Sequence, residues 1–311
     1  MGTVNAEGDA GRSRDGAVTL DRDGVPRGQH VLDALVSLLG LERLEDNLFR
    51  GSSPEVSPQR VFGGQVAAQS LTAAGRTVPP ERQVHSLHGY FMRPGDPKSP
   101  IIYEVDRTRD GSSFTTRRVT AIQHGKPIFA MSASFQIHEP GVEHALPMPD
   151  VPPPDGLPGY AELLAPYRDD IAVWATLPRP FEVRYATETP WAARSRGPQP
   201  GAVTQVWFRA DGTLPADPLL HTCLLAYMSD LTLLDSALIN HGLASGVDRI
   251  QLASLDHAMW FHRPIVMDDW VLYETSSPSA SGARGLCTGH FFSAAGELLA
   301  TVVQEGLVRL R

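Results

Sequence analysis

The chain repeats itself once. At a constant offset of 170 residues, Phe91, Arg93, Pro94, Tyr103, Glu104 and Ala130 meet Phe261, Arg263, Pro264, Tyr273, Glu274 and Ala300, with no gap between them. Self-similarity of this kind constrains the fold more than any composition figure, because both halves have to bury their apolar residues in the same way. Between the shared positions both copies read as strands. IIYEV stands beside VLYET, FTTRRVTAIQ beside GLCTGHFFSA, and PIFAMSASF beside LLATVVQEG, with a Gly-bearing turn (HGK, AGE) before the last pair. Alternation and β-branched content mark antiparallel strands joined by hairpins.

One long apolar segment precedes each strand block: GGQVAAQSLTAAGRTV over 63–78 and PLLHTCLLAYMSDLTLLDSAL over 218–238. Each follows a short strand candidate, EDNLFRG near 45–51 and VTQVWFRA near 203–210. A unit therefore reads as strand, helix, then about four antiparallel strands. Helices apolar almost all round fit a sheet that curls around them. Residues 136–160 separate the units and carry Pro140, Pro147, Pro149, Pro152, Pro153, Pro154 and Pro158, a density that predicts an extended linker. The expected organisation is a mobile tail over 1–30, a first unit over 31–135, the linker, and a second unit over 161–311. The first unit opens with an amphipathic helix in which Val31, Leu32, Leu35, Leu38 and Leu39 recur at helical spacing.

Composition excludes whole classes of partner. Lys plus Arg number 27 against 35 Asp plus Glu, a net charge of -8 without a basic run, so nucleic acid is not expected. No stretch approaches the ~18 consecutive apolar residues that span a bilayer. Cys223 and Cys287 form no CxxC, and residues 1–30 lack the apolar core of a secretion signal, which together predict a cytoplasmic protein. The terminal Arg309, Leu310 and Arg311 are not an SKL-type address. Neither HExxH nor a cysteine cluster is present, FGGQ lacks the dinucleotide and P-loop patterns, and there is no GxSxG elbow. No metal and no cofactor are expected.

Five words in order, FGGQVAAQSL, HSLHGYFMRPGDP, AYMSDLTLL, SLDHAMWFHRP and VVQEGLVR, resemble the acyl-CoA thioesterase II family over residues 31–311. The resemblance implies an α+β fold of two tandem hotdog units, each an antiparallel sheet wrapped around a central helix. It implies hydrolysis of fatty acyl-CoA to CoA and fatty acid, without metal or covalent intermediate. It also implies a water held by an Asp, a hydroxyl and a Gln of the second unit; word by word these are Asp230, Ser254 and Gln304. Many members carry Thr at the position of Ser254, so the rotamer-restricting methyl is absent and looser geometry is expected. Open sheet edges that pair across subunits predict a homo-oligomer.

Read on its own, Asp230 shares a helical face with Cys223, Ala226, Tyr227, Leu233 and Leu234. A carboxylate there acquires either a raised pKa or compensating donors, and serves as a general base or as a structural acceptor. Gln304 shares a strand face with Leu298, Ala300 and Val302 and has to find partners among them, as a site residue or as a pin between strands. Its repeat mate is Ser134, and the region matching Asp230 is Gly63 and Gly64, so the first unit lacks the polar set. Ser254, placed at the start of a strand, says little alone. Among the flanking histidines His85, His88, His257 and His262, the first two are the better assistants because they lie on the counterpart strand. Gly63 and Gly64 are candidate oxyanion donors. Arg93, Arg117, Arg118 and Arg263 are available for CoA phosphates, though the recurring Arg-Pro pair reads equally well as structural. Two rivals remain: a hotdog enoyl-CoA hydratase, for which the Asp230, Asp235 and His241 spacing is poor, and a non-catalytic acyl-CoA binding protein, which need not keep Asp230 and Gln304.

Overall fold

The strand pattern and the two apolar helices resolve into one continuous sheet in the computed structural model, which describes residues 19–21, 24–54, 60–171 and 176–311. A separate pair, β1 (Thr19–Leu20) and β2 (Pro26–Arg27), precedes it, and the sheet itself holds β3 (Glu42–Glu45), β4 (Leu48–Gly51), β5 (Arg82–Phe91), β6 (Ile101–Asp110), β7 (Phe114–Gln123), β8 (Lys126–Ile137), β9 (Phe181–Tyr185), β10 (Val203–Ala210), β11 (Ile250–Ser254), β12 (Asp256–Phe261), β13 (Val271–Ser281), β14 (Arg284–Ser293) and β15 (Leu298–Leu310). The helices that matter here are α1 (Gln29–Leu39), α2 (Gly63–Gly75), α3 (Pro218–Ser229) and α4 (Asp235–Ile239).

Strand order runs β4-β6-β7-β8-β5 in the first unit and β10-β13-β14-β15-β12 in the second, the same circuit twice. The halves join edge to edge where β5 pairs antiparallel with β12, from Asp256 opposite Tyr90 to Trp260 opposite Ser86. The architecture is α+β, two hotdog units in tandem. Inside the curl lie α2, buried from Gly64 through Ala74, and α3, buried through most of its length. They run antiparallel and close: the Thr72 hydroxyl reaches Cys223 Sγ at 3.3 Å, and a Cβ at Gly75 would stand 2.5 Å from a Leu219 methyl carbon. A single hydrophobic core therefore runs through both units, from Leu32, Phe49 and Phe135 to Leu224, Met259 and Val302.

Three sequence expectations change. The second helix stops at Ser229 rather than continuing to residue 238, and α4 is a separate turn of chain. The repeat is not gapless in space. Ala121 faces Phe129, whereas Phe291 faces Ala300, so the β14–β15 hairpin is one residue longer than its counterpart. Along β15 the offset becomes 171, which makes Ala133, not Ser134, the mate of Gln304. A bulge beside Phe292 also turns Leu298 to an outer cluster with Trp207, Leu272 and Phe292, away from the face that Gln304 shares with Ala300 and Val302.

Residues 1–18 of the expected tail lie outside the described residues. From Thr19 onward the described part makes defined contacts: β1 pairs with β2, Arg27 and the Gly28 N–H bond Asp211 at 2.9 Å, and Arg179 reaches Asp21 at 2.5 Å. Residues 138–153 carry neither helix nor strand, and Trp207 Nε1 donates to the Pro152 carbonyl at 3.0 Å, laying this segment over the outside of the second unit.

Candidate active site

The end of α3 fixes Asp230. Pro218 and the Asp217 carboxylate start that helix, the carboxylate accepting from Leu219 N–H at 3.0 Å. At the other end the Tyr273 hydroxyl donates to the Ser229 carbonyl at 2.9 Å, satisfying one of the acceptors that a helix terminus leaves open. Asp230 is then the C-cap residue, with φ -88° and ψ -3°. It does not sit mid-helix on the face of Cys223 and Leu233, and its carboxylate meets the start of α2.

Three donors reach that carboxylate. Gly64 N–H lies 2.8 Å from Oδ2, while the Ser254 hydroxyl and Gln304 Nε2 each lie 3.0 Å from Oδ1. Gln304 Nε2 also donates to Ser254 Oγ at 3.1 Å, closing a triangle. The carboxylate among apolar neighbours is thus matched by donors. Gly64 lies in the first turn of α2, so the positive end of that helix dipole faces the negative charge. Glycine is required for this approach. A Cβ at Gly63 would stand 2.6 Å from Asp230 Oδ2, and one at Gly64 would overlap the Tyr227 carbonyl. The glycine pair is thus the partner of Asp230 and not its repeat mate, and the Gly64 N–H, expected as an oxyanion donor, is engaged with the carboxylate.

Behind the triangle Gln304 is fully buried and its Oε1 hydrogen-bonds His257 Nδ1. His257 is 1% exposed, and its Nε2 lies 2.8 Å from Ser229 Oγ. Of the four flanking histidines it is His257, and not His85 or His88, that the fold sets against Gln304. His85 pairs with Ser134 at 2.8 Å, His88 is exposed against Trp260, and His262 bonds Thr301 at 2.9 Å. The available signal was the alternation of β12, in which His257, Met259 and Phe261 are the buried positions. Ser254 ends β11 rather than starting a strand. Its hydroxyl donates once, to Asp230, and accepts once, from Gln304.

The comparisons with known proteins agree with one another. An acyl-CoA thioesterase family model matches residues 178–307, and an acyl-CoA thioesterase N-terminal domain model matches 52–136. Acyl-coenzyme A thioesterase 8 of Homo sapiens is 41% identical over 306 residues, covering 96% of this chain and 95% of the relative. Acyl-CoA thioesterase 2 of Haemophilus influenzae is 40% identical, with 90% and 98% covered. The crystal structure of an acyl-CoA thioesterase II from Mycobacterium marinum is 48% identical, with a TM-score of 0.73 and coverage of 89% and 98%. The chain belongs to the acyl-CoA thioesterase II family.

In this thioesterase most of the arginines considered for CoA phosphates are tied into the fold. Arg93 and Arg263 make the same bond twice, to the carbonyls of Pro127 and Leu298 at 2.6 and 3.0 Å, which gives the recurring Arg-Pro word a structural role. Arg117 is buried, with its guanidinium on Thr77, Arg109, Thr116 and Asp110. Arg118 is exposed on β7. Asp235, the residue a hydratase reading would need, accepts from Ser245 Oγ at 2.9 Å and opens α4. Among the described residues no group of three or more His, Cys, Asp or Glu could hold a metal ion, and no helix is long and apolar enough to cross a membrane.

Proposed function

We propose that this thioesterase hydrolyses fatty acyl-CoA to CoA and free fatty acid with a water activated by Asp230 and placed by Ser254 and Gln304. The observation that carries the reading is the closed triangle at the α2–α3 junction, where carboxylate, hydroxyl and amide lie within 3.1 Å of one another. Counting lone pairs supports it. Among the described residues Asp230 Oδ2 accepts only from Gly64, and Ser254 Oγ accepts only from Gln304, so each keeps a site for a proton. A water donating to both turns its own lone pairs outward, toward a thioester carbonyl.

The chemistry then needs no side-chain nucleophile. Water oxygen bonds to the carbonyl carbon as Asp230 takes its proton. The tetrahedral intermediate expels the sulfur, and the proton passes from Asp230 to the departing thiolate, giving CoA thiol and carboxylic acid. A positioned general base contributes ~10²–10⁴-fold. Residues 161–311 form the catalytic unit in this reading, and residues 31–135 serve it through α2. A cytoplasmic site of action is supported by two free, buried cysteines, Cys223 and Cys287. A homo-oligomer is supported by the apolar side chains of Tyr90 and Met92, exposed at 66% and 49%.

The test is CoA release from a panel of saturated acyl-CoAs, followed with a thiol reagent. Release by the wild type and its loss by about 10³-fold in Asp230→Asn is expected. Hydration of crotonyl-CoA without thiol release would replace this reading by a hydratase, and tight acyl-CoA binding with neither reaction by a binding protein.

A further inference from the structure

The hydrogen bonds at the site do not stop at the triangle. They form a ring that returns to its own start: Asp230 carboxylate, Gln304 amide, His257 imidazole, Ser229 hydroxyl, and Ser229 is the residue bonded to Asp230. The proton positions follow from chemistry. A carboxylate only accepts, so Gln304 turns its NH₂ toward Asp230, and Oε1 points the other way. That oxygen also only accepts, so His257 Nδ1 carries the hydrogen. Ser229 Oγ lies 2.8 Å from His257 Nε2 and 2.9 Å from the Ala226 carbonyl. A neutral imidazole accepts the serine proton, and an imidazolium donates to Oγ while the serine donates to Ala226. Either way Nδ1–H continues to face Gln304.

We propose that His257 is a positioning residue for the hydrolysis: its Nδ1–H locks the Gln304 amide in the one orientation that donates to Asp230 and Ser254. The inference rests on the proposed roles of those three residues. Without the lock, a rotated amide would set Oε1 against the carboxylate, an acceptor facing an acceptor. Stability alone does not ask for the ring. The other unit fills the equivalent places of His257 and Gln304 with Leu87 and Ala133, both buried in the same continuous core.

Three substitutions separate positioning from packing. His257→Asn keeps a donor where Nδ1 stood, His257→Gln keeps an amide where Nε2 stood, and His257→Leu keeps volume alone. With wild-type KM within about threefold, we expect kcat to fall about 10- to 100-fold in His257→Leu and His257→Gln, the size of one lost buried hydrogen bond. His257→Asn recovers to within about fivefold of wild type on the same grounds. Full activity of His257→Leu, or a ranking that places it above His257→Asn, overturns the inference, because packing alone gives that order. Should His257→Leu fail to fold by near-ultraviolet circular dichroism, the Asn and Gln variants decide: equal kcat values overturn the proposal. In the wild type, nitrogen-15 spectra of labelled histidine are expected to show Nδ1–H, and a neutral ring protonated at Nε2 contradicts it. Asp230→Asn, assayed alongside, keeps the two readings apart. If Asp230→Asn stays active the site itself is wrong; if it is inactive while His257→Leu is not, only the positioning role falls.

Discussion

At matched ends of their central helices the two units carry opposite charges: Arg76 caps α2 and Asp230 caps α3. The contrast extends through the neighbourhood. Where the second unit has Ser254, His257 and Gln304, the first has Val84, Leu87 and Ala133, all at most 8% exposed. Arg76 turns to the Leu41 carbonyl, so it takes no part in a buried network. Tyr103 and Tyr273 both remain fully buried and both reach a central helix, through Gln69 Oε1 in one unit and the Ser229 carbonyl in the other. The scaffold thus keeps the tyrosine and the volume, and it tolerates apolar residues at the places of Ser254, His257 and Gln304. The polar set stands in one unit alone, at the site proposed for the hydrolysis, while the apolar unit contributes the N-terminus of α2 to it.

Substitutions can break or sharpen that comparison. The strongest acts from the apolar side: Gly63→Ala places a methyl 2.6 Å from Asp230 Oδ2 and displaces the proposed base without changing a residue of the second unit. Loss of about 10²–10³-fold in kcat is expected, measured as CoA release, because the proposed general base is misplaced. Gln304→Ala copies the first unit's Ala133 into the second. About 10²-fold loss of kcat is expected, together with a lower Tm, since it leaves a cavity and an unpaired His257 donor.

A third test concerns α4, which follows Asp230 and precedes β11, whereas the first unit passes from Arg76 to β5 within a few residues. Burial pushes the Asp235 carboxyl up to about 6. A raised folded-state value makes this group most favourable below pH ~4, and its contribution is lost as pH rises through about 6. Asp235→Asn, which keeps the acceptor for Ser245, should therefore match the wild type at pH ~4 and exceed it by about 2 kcal/mol at pH 7.5. Chemical denaturation at the two pH values measures the difference. Smallest of all is Arg76→Met, at the cap that mirrors Asp230. Its kcat is expected within about twofold of wild type, with about 1 kcal/mol lost in stability from the missing bond to Leu41. A large kcat effect there would show that the first unit is not silent.

Much of the fold was legible because periodicity reports burial. FTTRRVTAIQ and VTQVWFRA coincide with β7 and β10, and the apolar helices lie inside the sheet as their lack of a polar face requires. What periodicity does not report is where a helix ends for tertiary reasons. Nothing local in LTLLDSAL forbids helix after Ser229; the stop comes with a tyrosine 44 positions away. The extra residue in the β14–β15 hairpin was hidden for a related reason, since Ala130 and Ala300 are identical by coincidence and only pairing reveals the slip. Asp230, Ser254 and Gln304 were found through family words, and their contact depends on a register and a helix cap that no window of sequence contains. Gly64 was read as a place for substrate because glycine signals close approach without naming what approaches.

The bond from Gly64 to Asp230 joins two halves of a single polypeptide. A solitary hotdog unit would have to borrow that helix terminus from a neighbouring molecule, and dilution would then extinguish turnover by dissociation. Here the lender and the borrower share one backbone, so specific activity should hold constant as protein concentration falls, whatever assembly the chains form.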